Sequence, residues 1–367
     1  MTDTRQTPLA QSLPATVPFV APERMEELRG AAFDVRLGAN ELSFGPSPKA
    51  LEAMADSLSG VWKYGEPENR NLRLALAAHH SLDADEITVG EGIDGLLGNL
   101  VRLYVGPGDA VVTSAGSYPT FNYHVAGFGG VLHTVPYKGY YEDPEALIAK
   151  AKEVGAKLVY LSNPNNPMGS VHSAETVQAM IDAVPEGCLL ILDEAYTEFA
   201  PQNTRPALDT SNARVIRFRT FSKAYGMAGA RVGYGIAHRD VAMSFDKIRN
   251  HFGVNRVAQT GALAAFADQE YLSETIEKVT QGRERLAQIA HSVGLTPLPS
   301  ATNFVTMDCG RDGDHARALV KALDSHGVFV RMPGVAPLDR CIRVSVGLPA
   351  EIEIFAERLP LALADLG

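Results

Sequence analysis

The chain has 367 residues, 46% of them hydrophobic and 21% charged, with a formal charge of −10. That is ordinary globular composition at a length suited to a large domain with a smaller companion. The acidic balance argues against a polyanion, so no nucleic-acid partner is expected, and no apolar run approaches the length that spans a bilayer.

The opening "MTDTRQTPLAQSLPATVPFV" lacks a basic start followed by an apolar stretch and reads as a mature, soluble, cytoplasmic chain. Residues 1 to 35 read as an irregular arm, punctuated by proline and briefly helical at "APERMEELRG". From about residue 85, short apolar runs ("EITVG", "AVVTS", "VLHTVP", "KLVYLS", "CLLILDE", "RVIRF") alternate with segments of helical spacing such as "IDGLLGNLVRLYV" and "PEALIAKAKEV". This alternation predicts crossover connections and a mainly parallel sheet covered on both faces. After residue 270 a long helix at "YLSETIEKVTQGRERLAQIAHSV" leads into "NFVTMD", a helix near "DHARALVKAL", then "GVFVRM", "CIRVSV" and a last helix. The pattern is that of a smaller α+β unit. Cys188, Cys309 and Cys341 are odd in number and far apart, and two lie in apolar runs, which predicts buried thiols rather than disulfides or a metal site.

The chemistry gathers in four places. "VGEGIDG" fits a dinucleotide pattern through Gly90, Gly92 and Gly95. The next strand, however, ends in "AGSYPTF" without the acid that would hold a ribose. What remains is either a plain tight turn or a helix N-terminus at Gly92, Ile93 and Asp94 whose amides hold a phosphate. "LSNPNNPMGS" sets Asn163, Asn165 and Asn166 among prolines directly after a strand. "LLILDEAYTEF" ends a strand in Asp193 and Glu194, with Tyr196 close behind, where α/β folds bind ligands. In "FRTFSKAYGMAGARVGYG", Lys223 and Arg231 bracket a turn of small residues, an arrangement suited to a Schiff-base lysine beside a phosphate clamp.

Taken together, "SNPNNPMG", "LDEAY" and "FSKAYGMAGARVGY" resemble the fold-type I pyridoxal-phosphate enzymes, specifically class I/II aminotransferases of the histidinol-phosphate group, over nearly the whole chain. The resemblance implies an α/β fold with a large pyridoxal-phosphate domain at 45–268, a smaller α+β domain at 269–367, and residues 1–44 forming an arm and part of the small domain. Hinges would lie near 35–45 and 265–275. It further implies that Lys223 bonds to the cofactor and shuttles a proton, that Asp193 pairs with the ring nitrogen, and that Tyr196 and Asn166 hydrogen-bond the phenolic oxygen. Ser222, Arg231 and the amides of Gly92, Ile93 and Asp94 would hold the cofactor phosphate. Phe121 would stack on the ring, and Tyr64 would reach the phosphate of the neighbouring subunit in a homodimer. Trp62 reads as packing. Asn40, Arg331 and Arg343 would face the substrate, the arginines suiting a dianionic phosphate.

Three features depart from the family pattern. Leu42 and Ser43 replace an Asn-Pro, Phe19 stands where a tyrosine is usual, and Met168 replaces a threonine. The expected activity is transamination between an amino donor, histidinol phosphate first and an aromatic amino acid next, and 2-oxoglutarate. A pyridoxal-phosphate lyase acting on threonine phosphate is the rival class.

Overall fold

A computed structural model describes residues 5–15 and 20–367. Its central sheet has seven strands: β2 (Ile87–Gly90), β3 (Ala110–Ser114), β4 (Val131–Val135), β5 (Leu158–Ser162), β6 (Leu189–Asp193), β7 (Val215–Thr220) and β8 (Gly233–Ala237). They follow the order β2-β8-β7-β6-β5-β3-β4, and β8 alone runs antiparallel to its neighbours. The remaining pairs are parallel, as the alternating sequence predicts.

Alternation along each strand divides the core. Leu158, Tyr160, Leu189 and Ile191 join one apolar cluster with Leu96, Leu97 and Leu100 of the helix Gly92–Tyr104. Val159, Leu161, Leu190 and Leu192 join another with Leu147 and Ile148 of Pro144–Val154 and Met180 of Ala174–Ala183. Both faces of the sheet are therefore dry, which explains why these strands read as unbroken apolar runs.

A second sheet has β9 (Thr296–Pro297), β10 (Phe304–Asp308) and β12 (Cys341–Ser345) in antiparallel order β12-β10-β9. Helices Gln269–Ser292, Gly313–Ser325 and Pro349–Ala364 follow the predicted helical stretches. The expected strand "GVFVRM" shortens to β11 (Val328–Phe329), which pairs in parallel with β1 (Val35–Arg36). Beyond β11 the pairing continues only as a single bridge between Arg331 and Arg343. Residues near the start of the chain are thus stitched to residues near its end, and Ser345 N–H donates to Leu37 O at 2.8 Å.

Cys188, Cys309 and Cys341 are free and buried, as expected. Trp62 departs from its packing assignment: it is 79% exposed in the single chain, with Lys63 Nζ 4.8 Å from its ring. It follows a short 3-10 turn at Leu58–Gly60 that leaves the segment on the surface.

Candidate active site

β8 returns antiparallel from β7, so the connection Phe221–Val232 stays at the carboxyl edge of the parallel strands. β2 ends at the same edge, paired through Gly90 with Gly233. The turns after β2, β3, β5, β6 and β7 therefore open on one place, a cavity of about 620 Å³. Such an edge is where open α/β sheets take ligands.

One end of the cavity is a cup. Gly92 has φ +74°, and a Cβ there would lie 2.7 Å from Nη2 of Arg231. A Cβ on Gly233 would lie 2.8 Å from the Gly92 carbonyl carbon, so backbone, backbone and guanidinium close on each other only because both positions are glycine. Arg231, itself at φ +54°, donates from Nη1 to Ser222 Oγ at 3.3 Å and to Ala228 O at 3.0 Å. Glu91, at the N-cap of Gly92–Tyr104, supplies no side-chain cap. Amides, a hydroxyl and a guanidinium converge here, and that donor set suits a phosphate.

Lys223 lies in the middle of the cavity, its Nζ donating to Asn40 O at 2.9 Å and 5.7 Å from the Tyr196 ring. Burial, then the charges of Arg343 and Arg231, pull its amine down to about 8, with Glu41 opposing. An amine so placed is neutral often enough to act as a nucleophile or base near neutral pH. Asp193 faces the cavity from the end of β6, accepting from Tyr160 O–H at 2.6 Å and from Ala195 N–H at 2.9 Å. Burial pushes its carboxyl up to about 6. Among the described residues no basic side chain hydrogen-bonds to it. The neighbouring Glu194 is turned away, held well below the usual range, at about 2, by Arg217 and Arg219 at 2.5 and 2.8 Å.

Tyr196 accepts from Asn40 Nδ2 at 3.1 Å, and burial raises its phenol. Asn166 accepts from Arg343 Nη1 at 2.6 Å, and Arg343 Nη2 donates to Gly38 O at 3.1 Å. Arg343 Nε is buried without a partner, and burial draws the guanidinium down to about 10. Arg331 lies beside it through the backbone bridge, lines the same cavity, and donates to Val20 O at 2.8 Å. The two side chains bring two cations to one wall, an arrangement that favours an anion of more than one charge.

Ile93, Asp94, Asn40, Asn166, Asp193, Tyr196, Ser222, Lys223, Arg231, Arg331 and Arg343 thus meet in one cavity, with Gly92 packed beneath the guanidinium of Arg231. Phe121 does not join them. It is 0% exposed and stacks on Tyr160 at 4.9 Å, on the buried face of Pro119–Gly127 with Val125 one turn on. From this segment it is Tyr118, just before that helix, that lines the cavity. Tyr64 is also outside it, 77% exposed and against Phe252 at 4.6 Å. Phe19 lies outside the described residues. Met168 is fully buried with Leu298, Leu338 and Cys341, a packing role rather than a substrate contact. Tyr118, Tyr160 and the wall from Met332 to Val335 were not singled out in the sequence, because nothing local marks them; they reach the site through strand pairing and loop packing.

Comparison with known proteins agrees with this geometry. Residues 34–359 match the family "Aminotransferase class I and II". A histidinol-phosphate aminotransferase of Symbiobacterium thermophilum is 36% identical over 95% of this chain and 96% of its own length. Another from Pseudomonas aeruginosa is 34% identical over 95% of each. Among solved structures, histidinol-phosphate aminotransferase from Sinorhizobium meliloti in complex with pyridoxal-5'-phosphate superposes with a TM-score of 0.97 at 52% identity, covering 99% of both chains. Aspartate aminotransferase from Thermus thermophilus with maleate (TM-score 0.82, 23% identity) shares the fold. The chain belongs to the class I and II aminotransferases.

Proposed function

We propose that the protein is a pyridoxal-phosphate-dependent aminotransferase that takes its amino group from histidinol phosphate and passes it to 2-oxoglutarate. The observation that carries the reading is the alignment, across one cavity, of the phosphate cup, Lys223, Asp193 and the Arg331–Arg343 wall. Pyridoxal phosphate, when bound, supplies an aldehyde that captures amines and a ring that accepts electrons. The cup of Ser222, Arg231 and the Gly92–Asp94 amides would hold its phosphate, Asp193 its ring nitrogen, and Asn166 and Tyr196 its phenolic oxygen.

The residues then divide the work. Lys223, partly neutral, would take the proton from the donor's α-carbon and deliver it to the carbon that was the cofactor's aldehyde, C4′. Asp193 keeps the ring nitrogen protonated, which stabilises negative charge as it develops. Arg331 and Arg343 orient the donor by its phosphate, and Tyr118 walls the cavity. Movement of the unit carrying both arginines, about residues 35–45 and 265–275, would exclude water during proton transfer.

The decisive measurement is a half-reaction: cofactor-loaded protein mixed separately with histidinol phosphate, phenylalanine and threonine phosphate, without keto acid. Rapid loss of the visible cofactor band with histidinol phosphate alone is expected. Bleaching by phenylalanine instead would mean that Arg343 grips a carboxylate, and carbon dioxide release from threonine phosphate would mean a lyase.

The functional unit we propose is a homodimer. Leu58, Val61, Trp62, Tyr64 and Phe252 expose large apolar side chains on one chain, with Tyr64 77% exposed. Sedimentation should return twice the chain mass, and Tyr64→Ala should keep that mass while weakening cofactor binding about tenfold through one lost phosphate contact. A monomer with full activity would refute the shared site.

A further inference from the structure

Beneath the cavity lies a carboxyl group that the proposed chemistry does not use. Glu142 is 1% exposed, and Oε2 accepts from Ser162 N–H at 3.0 Å, Ser162 Oγ at 3.1 Å and Asn165 Nδ2 at 2.9 Å. These donors form the root of the turn after β5. At that turn Asn163 N–H donates to the Asp193 carbonyl at 2.9 Å, and at its tip Asn166 accepts from Arg343. On the other side of the carboxyl, Oε1 and Ser114 Oγ are both buried without a hydrogen-bond partner. Ser114 ends β3 and leads directly to Gly116, Ser117 and Tyr118 of the cavity wall. Glu142 therefore sits between the ends of β3 and β5, which both lead into the cavity wall.

Among the described residues no basic side chain pairs with this carboxyl. Tyr137 O–H is tied to Asn165 at 2.9 Å, and Tyr160 donates to Asp193. His172, whose imidazole burial shifts down, bonds at 2.9 Å to the Glu142 backbone carbonyl rather than its carboxyl. Burial pushes the Glu142 carboxyl up to about 7, with the Ser162 and Asn165 bonds opposing. A carboxyl buried at this cost is retained for what it holds in place, since a well-packed apolar side chain would avoid the desolvation.

We propose that Glu142 is a positioning residue for the reaction: by clamping Ser162 and Asn165 it sets Asn166 against Arg343. The inference rests on the functional reading above. Removing the carboxyl would take the acceptor from the Ser162 N–H and O–H in the interior, and the turn would rotate to find new partners.

The test compares wild type, Glu142→Gln and Glu142→Leu as full-length proteins, measuring pyridoxal-phosphate affinity of the apoprotein, kcat and KM separately, and the pH midpoint of the bound-cofactor absorption. Glu142→Leu should bind the cofactor about tenfold more weakly, the effect of two stranded donors, and lose kcat as well as donor affinity. Glu142→Gln should recover affinity while moving the absorption midpoint to lower pH, because a negative charge beneath the cavity has gone. Wild-type affinity and kinetics in folded Glu142→Leu would overturn the proposal. So would an unmoved midpoint in Glu142→Gln, which remains decisive should the leucine variant not fold. Failure of wild type itself to bind pyridoxal phosphate would overturn the functional reading instead, and the two failures are distinct.

Discussion

Lys223→Ala should reduce steady-state transamination by about 10⁴-fold or more, the upper range of what a positioned acid–base group supplies, with covalent capture lost in addition. The expectation follows from position as much as chemistry. Lys223 Nζ is the amine at the centre of the cavity, drawn down to about 8 by burial and by Arg343 and Arg231. No other residue replaces it: Tyr196 has its phenol raised and Asn40 does not titrate. The cup of Ser222 and Arg231 is untouched by the substitution, so the variant should still bind pyridoxal phosphate, with the absorption of the free aldehyde. Binding with wild-type turnover would remove Lys223 from the chemistry altogether. Loss of both binding and turnover in a folded variant would mean that the lysine, rather than the cup, holds the cofactor.

Asp193→Asn should lower kcat about a hundredfold, the order expected when a buried charge-assisted hydrogen bond is replaced by a neutral one. The pH behaviour tests the cause. The folded carboxyl is raised from its usual value to about 6 by burial, so the apoprotein binds a proton there that the unfolded chain has released. Stability from this group is present below the unfolded value and lost as pH rises through about 6. Cofactor capture runs the other way, because the carboxylate is the form that meets a protonated ring nitrogen. Loading of wild-type apoprotein should therefore fall as pH drops below about 6, and Asp193→Asn should lose that acid limb. An acid limb that survives the substitution would assign it to another group, Glu142 being the first candidate.

The parts of the fold most legible in sequence were those dictated by local physics. Apolar runs of strand length separated by helical spacing specify a covered parallel sheet whatever lies around them. Lys223 and Arg231 could be paired in advance because both sit in one short turn of small residues. Asp193 and Glu194 are adjacent and chemically alike. Which one faces the cavity follows from the sheet, where Arg217 and Arg219 on β7 take Glu194 to the other side. Phe121 was assigned to the ring by likeness to a family pattern, yet it lies one helical turn inside Pro119–Gly127 and packs on Tyr160, leaving Tyr118 at the wall.

The sequence by itself determined the fold class, the order of strands and helices, the buried thiols and the residue types of the phosphate cup, because spacing and glycine placement act over a few neighbouring residues. The tertiary structure alone decided that Arg331 and Arg343 share a wall, that Tyr160 supports Asp193, and that Glu142 joins two distant turns. It also decided that Trp62 and Tyr64 stand exposed on a single chain. Those relations depend on strand pairing and packing between segments tens to hundreds of residues apart, for which no local pattern in the sequence is a proxy.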